Sequence, residues 1–145
     1  MPFFNRMRHP LRQLAILLAL CASLSANSKV STGIIYWTCG PADGPAFVIE
    51  VDGHGATPKT VIMVNEAMPD FMLRKSFAYK ISNRMGHVTA AQCGELECGG
   101  STSGRLLLKE SDGGFVTGFY SLNTLGKIVT ARFKVKRVER KMVCG

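Results

Sequence analysis

The chain is poor in the residue combinations that chemistry usually requires. It holds three histidines and one tryptophan in 145 residues. There is no Gly-x-Ser-x-Gly elbow, so a hydrolase nucleophile of that type lacks its strained turn. No glycine loop runs into Lys and Ser/Thr, which excludes a P-loop phosphate cradle. Cys-x-x-Cys is missing, and with it the motif of thioredoxin-like redox chemistry. Asp52-Gly53-His54-Gly55 and Asp112-Gly113-Gly114 fall short of the run of oxygen ligands that calcium needs. Zinc would have to add His54 and His87 to the cysteines, at spacings that fit no standard zinc pattern. No cofactor and no metal are therefore expected. The chain also lacks internal repeats, low-complexity segments and any apolar run of about 20 residues, the length that crosses a bilayer as a helix.

What is present begins with the N-terminus. Arg6, Arg8 and Arg12 form a basic start without an acidic residue, followed by an 11-residue apolar run from Leu14 to Leu24 and then by Ser25, Ala26, Asn27 and Ser28. This is the layout of a secretory signal peptide, with cleavage expected after Ser25 or Ala26 because the peptidase pocket admits small side chains. Residues 1–26 are read as that leader and 27–145 as a single exported domain, periplasmic or secreted. Cys21 offers a second reading, a lipoprotein acylated at that cysteine, but Leu20 stands where a small residue usually precedes the modified one.

Four cysteines remain in the mature part, Cys39, Cys93, Cys98 and Cys144. An even number in an exported chain reads as two disulfides. Of three pairings, Cys39–Cys144 with Cys93–Cys98 is favoured: the first pair closes the ends of the first and last strands, and the second closes a small local loop. In the chain-entropy picture the long link stabilises by about 4–5 kcal/mol and the short one by about 2 kcal/mol.

The dominant hydrophobic period is two. Phe47, Ile49 and Val51 alternate with Glu50 and Asp52, and Phe77, Tyr79 and Ile81 alternate with Ala78, Lys80 and Ser82, the pattern of half-buried strands. Ile34 to Cys39 reads as a strand by its β-branched and aromatic content. Val61 to Val64, apolar on both faces, reads as a covered strand. Gly104 to Glu110, Phe115 to Leu122 and Lys127 to Val138 read as a three-stranded meander, with Gly118 marking a bulge or a close backbone approach. Pro69 to Arg74 suggests a short helical turn, and Cys93 to Ser103 a loop. Together these give an all-β fold, a small single-domain barrel ahead of a sandwich, of about seven to eight antiparallel strands stapled by disulfides.

Charge is uneven. Residues 27–126 hold 8 basic and 9 acidic side chains, whereas residues 127–145 hold 7 basic and 1 acidic. On the last strand Val129, Ala131, Phe133 and Val135 share one face. The opposite face leads into a cationic ridge of Arg132, Lys134, Lys136, Arg137, Arg140 and Lys141, with a bulge expected at Lys136-Arg137 where the alternation slips. The ridge has two readings: contact with an anionic envelope surface or an acidic protein, or lysines that keep an exposed strand from joining another sheet. Nucleic acid is disfavoured, because no aromatics interleave the cations for base stacking.

The expected function is a non-enzymatic binding module, of an inhibitor or immunity type, acting in the cell envelope. A small secreted hydrolase using Glu95, Glu97 or His87 is the alternative, and it requires at least two of those groups in one cleft. A structural envelope component is a third reading. Ser101-Thr102-Ser103-Gly104-Arg105 resembles the Ser-x-Ser-Gly loop of bacterial periplasmic inhibitors of c-type lysozyme, a family of small exported β-barrels that also carry a tyrosine shortly before the first cysteine, as Tyr36 precedes Cys39 here. The likeness covers under a tenth of the chain. It departs at Leu106, where that family has a tyrosine, and a basic chain would be repelled by basic lysozyme. The resemblance implies no more than an inhibitor role.

Overall fold

In a computed structural model, residues 29–54, 58–69, 76–82, 87–100, 103–110, 113–124, 126–141 and 143–144 are described. The expected leader, Cys21 and most of the Pro69 to Arg74 turn lie outside them. Nine strands form one sheet: β1 (Gly33–Cys39), β2 (Pro45–Val51), β3 (Lys59–Val64), β4 (Ser76–Ser82), β5 (Val88–Cys93), β6 (Cys98–Gly100), β7 (Ser103–Glu110), β8 (Phe115–Thr124) and β9 (Lys127–Val138). Pro41–Asp43 adds one 3-10 turn, with Pro41 supplying a preset φ at its start. No helix among the described residues is long and apolar enough to cross a membrane.

The strand order is β4-β7-β8-β9-β1-β2-β3-β5-β6. The meander β7-β8-β9 stands as the sequence indicates. Three features differ from expectation. First, the sheet is not a closed barrel: β4 and β5 lie against one another, yet no hydrogen-bonded ladder joins β4 to β5 or β6. Second, the strands are not all antiparallel. The first and last strands are neighbours, but they run parallel, with Ile34 opposite Lys136, Ile35 opposite Arg137 and Tyr36 opposite Val138. Their junction lies in the middle of the sheet, while its open seam falls between β4 and the β5–β6 end. Third, the segment read as a loop after Cys93 contributes the short ninth strand, β6, whose Cys98 sits directly across from Cys93.

Both expected disulfides are present, Cys39–Cys144 with a Cα–Cα distance of 5.6 Å and Cys93–Cys98 with one of 3.9 Å. The first ties the end of β1 to the tail that follows β9.

Curling brings opposite walls of the sheet together over one apolar core. Phe47, Ile49 and Val51 of β2, Ile62 and Val64 of β3, Leu106 and Leu108 of β7, and Phe133 and Val135 of β9 are buried. The rings of Phe47 and Tyr79, on strands five places apart in the order, meet edge to face at 6.2 Å. The hydroxyls of Thr60 on β3 and Tyr120 on β8 hydrogen-bond at 2.9 Å inside the core, which satisfies two polar groups that burial would otherwise leave unpaired. Val61 and Met63 are only half-buried, so β3 is covered on its inner face rather than on both.

Glycine is required where neighbouring strands leave no room for a side chain. A Cβ on Gly33 would lie 1.9 Å from the carbonyl oxygen of Glu50. At Gly118 a Cβ would lie 2.3 Å from the ring of Phe133, its partner across β9. Gly118 is thus a close approach rather than a bulge, and the Phe133 ring occupies the space a side chain would take.

Candidate functional site

Alternation along the strands fixes which side chains face outward. On β9, Phe133 and Val135 are buried while Arg132, Lys134 and Lys136 are exposed. The ladder to β8 runs without interruption from Lys127 to Lys136, the Arg137 amide donates to the Gly114 carbonyl at 2.8 Å, and the pairing with β1 continues through Val138. No bulge occurs at Lys136-Arg137. Arg137 instead keeps the inward register, opposite buried Ile35, and is exposed because it lies at the open end of the sheet beside Trp37 and Met68.

The six ridge residues therefore divide. Arg132, Lys134 and Lys136 share the outer face. Arg137 takes the other face. Arg140 lies 3.6 Å above the ring of Tyr36, and Lys141 is exposed beyond the strand.

The outer face is broader than β9. Cross-strand register aligns rows over four strands: Lys80, Arg105, Ser121 and Thr130; then Ala78, Leu107, Phe119 and Arg132; then Ser76, Lys109, Thr117 and Lys134. Lys136 follows opposite Phe115. Lys80, Arg105, Lys109, Arg132, Lys134 and Lys136 are all exposed. No described acidic side chain on β4, β7, β8 or β9 interrupts them. At the centre Leu107 and Phe119 are each 38% exposed and face each other across β7 and β8. Two shallow hollows adjoin at this pair, and the second is bordered by Val30 and Arg132. Lys134 places its ammonium 4.7 Å from the centroid of Phe115, a cation–π contact that holds the side chain along the face.

Lys80, Arg105 and Lys109 were invisible as a group in the sequence. Each is a single cation on an alternating strand, and only register brings them beside β9. Their signal is parity: each occupies the polar phase of its strand.

A second polar cluster lies on the outer side of β1 to β3. The Tyr36 hydroxyl donates to Glu50 Oε1 at 2.7 Å, and Lys59 pairs with Glu50 Oε2. Burial alone would raise the Glu50 carboxyl. Hydrogen bonds from Lys59 and Tyr36, with the charges of Lys59 and Arg140, outweigh it and hold the group below its ordinary range. Tyr36 is pushed up, first by burial and then by the Glu50 carboxylate. The cluster fastens the tail to β1 and β2 and mixes charges of both signs.

The candidate catalytic groups do not converge. His87 Nε2 lies 2.6 Å from Glu66 Oε2 at the start of β5. Glu95 and Glu97 are exposed in the turn beyond Cys93, at the far end of the same strand. Six strand residues separate those ends, a span of roughly 20 Å. Glu66 is held low: burial opposes this, but bonds from His87 and Tyr79 and the His87 charge prevail. Among the described residues no group of three or more His, Cys, Asp or Glu side chains gathers to hold a metal. Ser101 and Thr102 lie outside the described residues, Ser103 to Arg105 open β7, and Leu106 is buried in the core. No protein-family model, curated protein or solved structure matches the chain significantly.

Proposed function

We propose that the protein is an exported, non-enzymatic binding module that docks an anionic partner on the outer face of β4, β7, β8 and β9. The observation that carries this reading is the set of six cations around Leu107 and Phe119, with no described carboxylate among them. Clustered charge of one sign raises the local concentration of an oppositely charged partner and speeds encounter. Two disulfides accord with an oxidising compartment.

Edge protection accounts poorly for the β9 cations. Lys136 and Arg137 lie where β9 has neighbours on both sides, and the Lys134 amide donates to Ser31 opposite the β8 ladder. Lysines guard free strand edges, and these positions are not free edges. The hydrolase reading loses support from the separation of His87 from Glu95 and Glu97.

The test is charge reversal in two double variants of equal net charge. Arg132→Glu with Lys134→Glu should elute from immobilised heparin at clearly lower salt than the parent. Lys127→Glu with Lys141→Glu, outside the outer-face rows, should elute close to the parent. Equal elution of the two double variants overturns the proposal.

A further inference from the structure

We infer that the anionic partner is a lipid bilayer surface, met by this same face with Leu107 and Phe119 at headgroup level. The inference rests on the docking face proposed above and adds what that face meets. Three observations carry it.

The first is the mixture of side chains. A soluble polyanion is satisfied by cations alone. Here the cations surround exposed apolar groups, with Leu107 and Phe119 each 38% exposed, Val30 52% and Ile128 75%. Apolar side chains inside a cationic frame match the bilayer interface, where insertion at the headgroup boundary adds to attraction by anionic lipid.

The second is shape and polarity. The face lies on the convex side of a curled sheet, so a flat surface touches its middle first, where Leu107 pairs with Phe119. On the outer side of β1 to β3 the described charges are mixed: Lys59 pairs with Glu50, Arg140 lies over Tyr36, and Asp52 accepts a hydrogen bond from Thr32, so the single-sign cationic frame belongs to the face of β4, β7, β8 and β9.

The third is where the chain enters the domain. The Ser31 amide donates to the Arg132 carbonyl, and the Lys134 amide donates to the Ser31 carbonyl, both within β9. Val30 then borders the hollow shared with Leu107, Phe119 and Arg132. The described part of the chain thus begins beside this face, at Lys29 and Val30. Cys21 is eight residues from Lys29, a reach of at most about 28 Å. Under the lipoprotein reading, an acyl chain on Cys21 tethers the domain to the bilayer within that reach of this face.

The experiment compares variants that share one N-terminus, so that any contribution of the residues before the domain cancels. The processed protein is floated with vesicles of mixed phosphatidylglycerol and phosphatidylcholine, with vesicles of phosphatidylcholine alone, and applied to heparin. Leu107→Ser with Phe119→Ser should weaken binding to the anionic vesicles roughly tenfold and leave heparin elution unchanged. Arg132→Glu with Lys134→Glu should weaken both. Phe119→Trp in a Trp37→Phe background, a fold-neutral reporter, should show blue-shifted emission on anionic vesicles and quenching by brominated acyl chains. If heparin retention follows the charges but the Phe119→Trp emission does not move, the bilayer is overturned and the anionic docking face stands. If reversal of Arg132 and Lys134 changes neither vesicle nor heparin binding, both are overturned.

Discussion

At the scale of single residues, the buried contact between Thr60 and Tyr120 offers a clear test of core polarity. Tyr120→Phe leaves the Thr60 hydroxyl without its partner inside the core and should cost about 1–3 kcal/mol in urea unfolding. Adding Thr60→Val removes the orphan and should recover part of that loss. Gly118→Ala should cost about 1–3 kcal/mol, because the new methyl meets the Phe133 ring at a distance that forces a shift. The acidic and phenolic groups set a pH window. Glu50 and Glu66 sit below their ordinary value of 4.5 in the folded state. Their contribution is thus complete above that value and is lost as pH falls through the lowered folded values. Tyr36 and Tyr79 sit above their ordinary 10.0, burial being the first cause in each and a carboxylate the second. Their contribution is complete below 10.0 and is lost as pH rises through the raised values. Stability should therefore plateau between about pH 5 and pH 9, and Glu66→Gln should soften the acid edge of a plot of urea midpoint against pH.

At the scale of elements, β9 does most of the joining. It pairs with β8 along ten residues and with β1 along three, and the Cys39–Cys144 link holds the tail that follows it. That link spans 105 residues and the Cys93–Cys98 link spans 5. Replacing Cys39 and Cys144 by serine should cost about 4–5 kcal/mol in the chain-entropy picture, against about 2 kcal/mol for Cys93 and Cys98, as measured by denaturant midpoints. Much of this was legible in sequence. The alternation at Phe47 to Val51 and at Phe77 to Ile81 locates strands by local chemistry. The disulfide pairing followed from placing the first and last strands side by side. Three things were not legible. Parallel pairing of β1 with β9 depends on the path of the whole chain. The three-residue β6 has too little pattern to stand out from a glycine-rich loop. The width of the cationic face depends on register between strands far apart in sequence, so only its densest strip, Arg132 to Lys136, was visible beforehand.

At the scale of the whole molecule, the open seam predicts uneven protection. Amides of β8, β9, β1 and β2 lie inside the sheet and should exchange slowest with deuterium. Those of β6 and of the unpaired edge of β4 should exchange fastest. Charge is distributed in the same spatial sense: cations of one sign gather on the outer face of β4, β7, β8 and β9, while around the curl Glu50 is paired with Lys59. A net charge of +8 for the full chain thus understates the polarity that a partner meets.

The position of β9 also bears on how the protein comes into being. The strand seated between β8 and β1 is made after both of them. Until residue 138 is available, β1 and β8 have nothing between them, and the two halves of the sheet remain apart. Pairings of such long sequence separation form slowly. The sheet is joined into one piece only when β9 has been made.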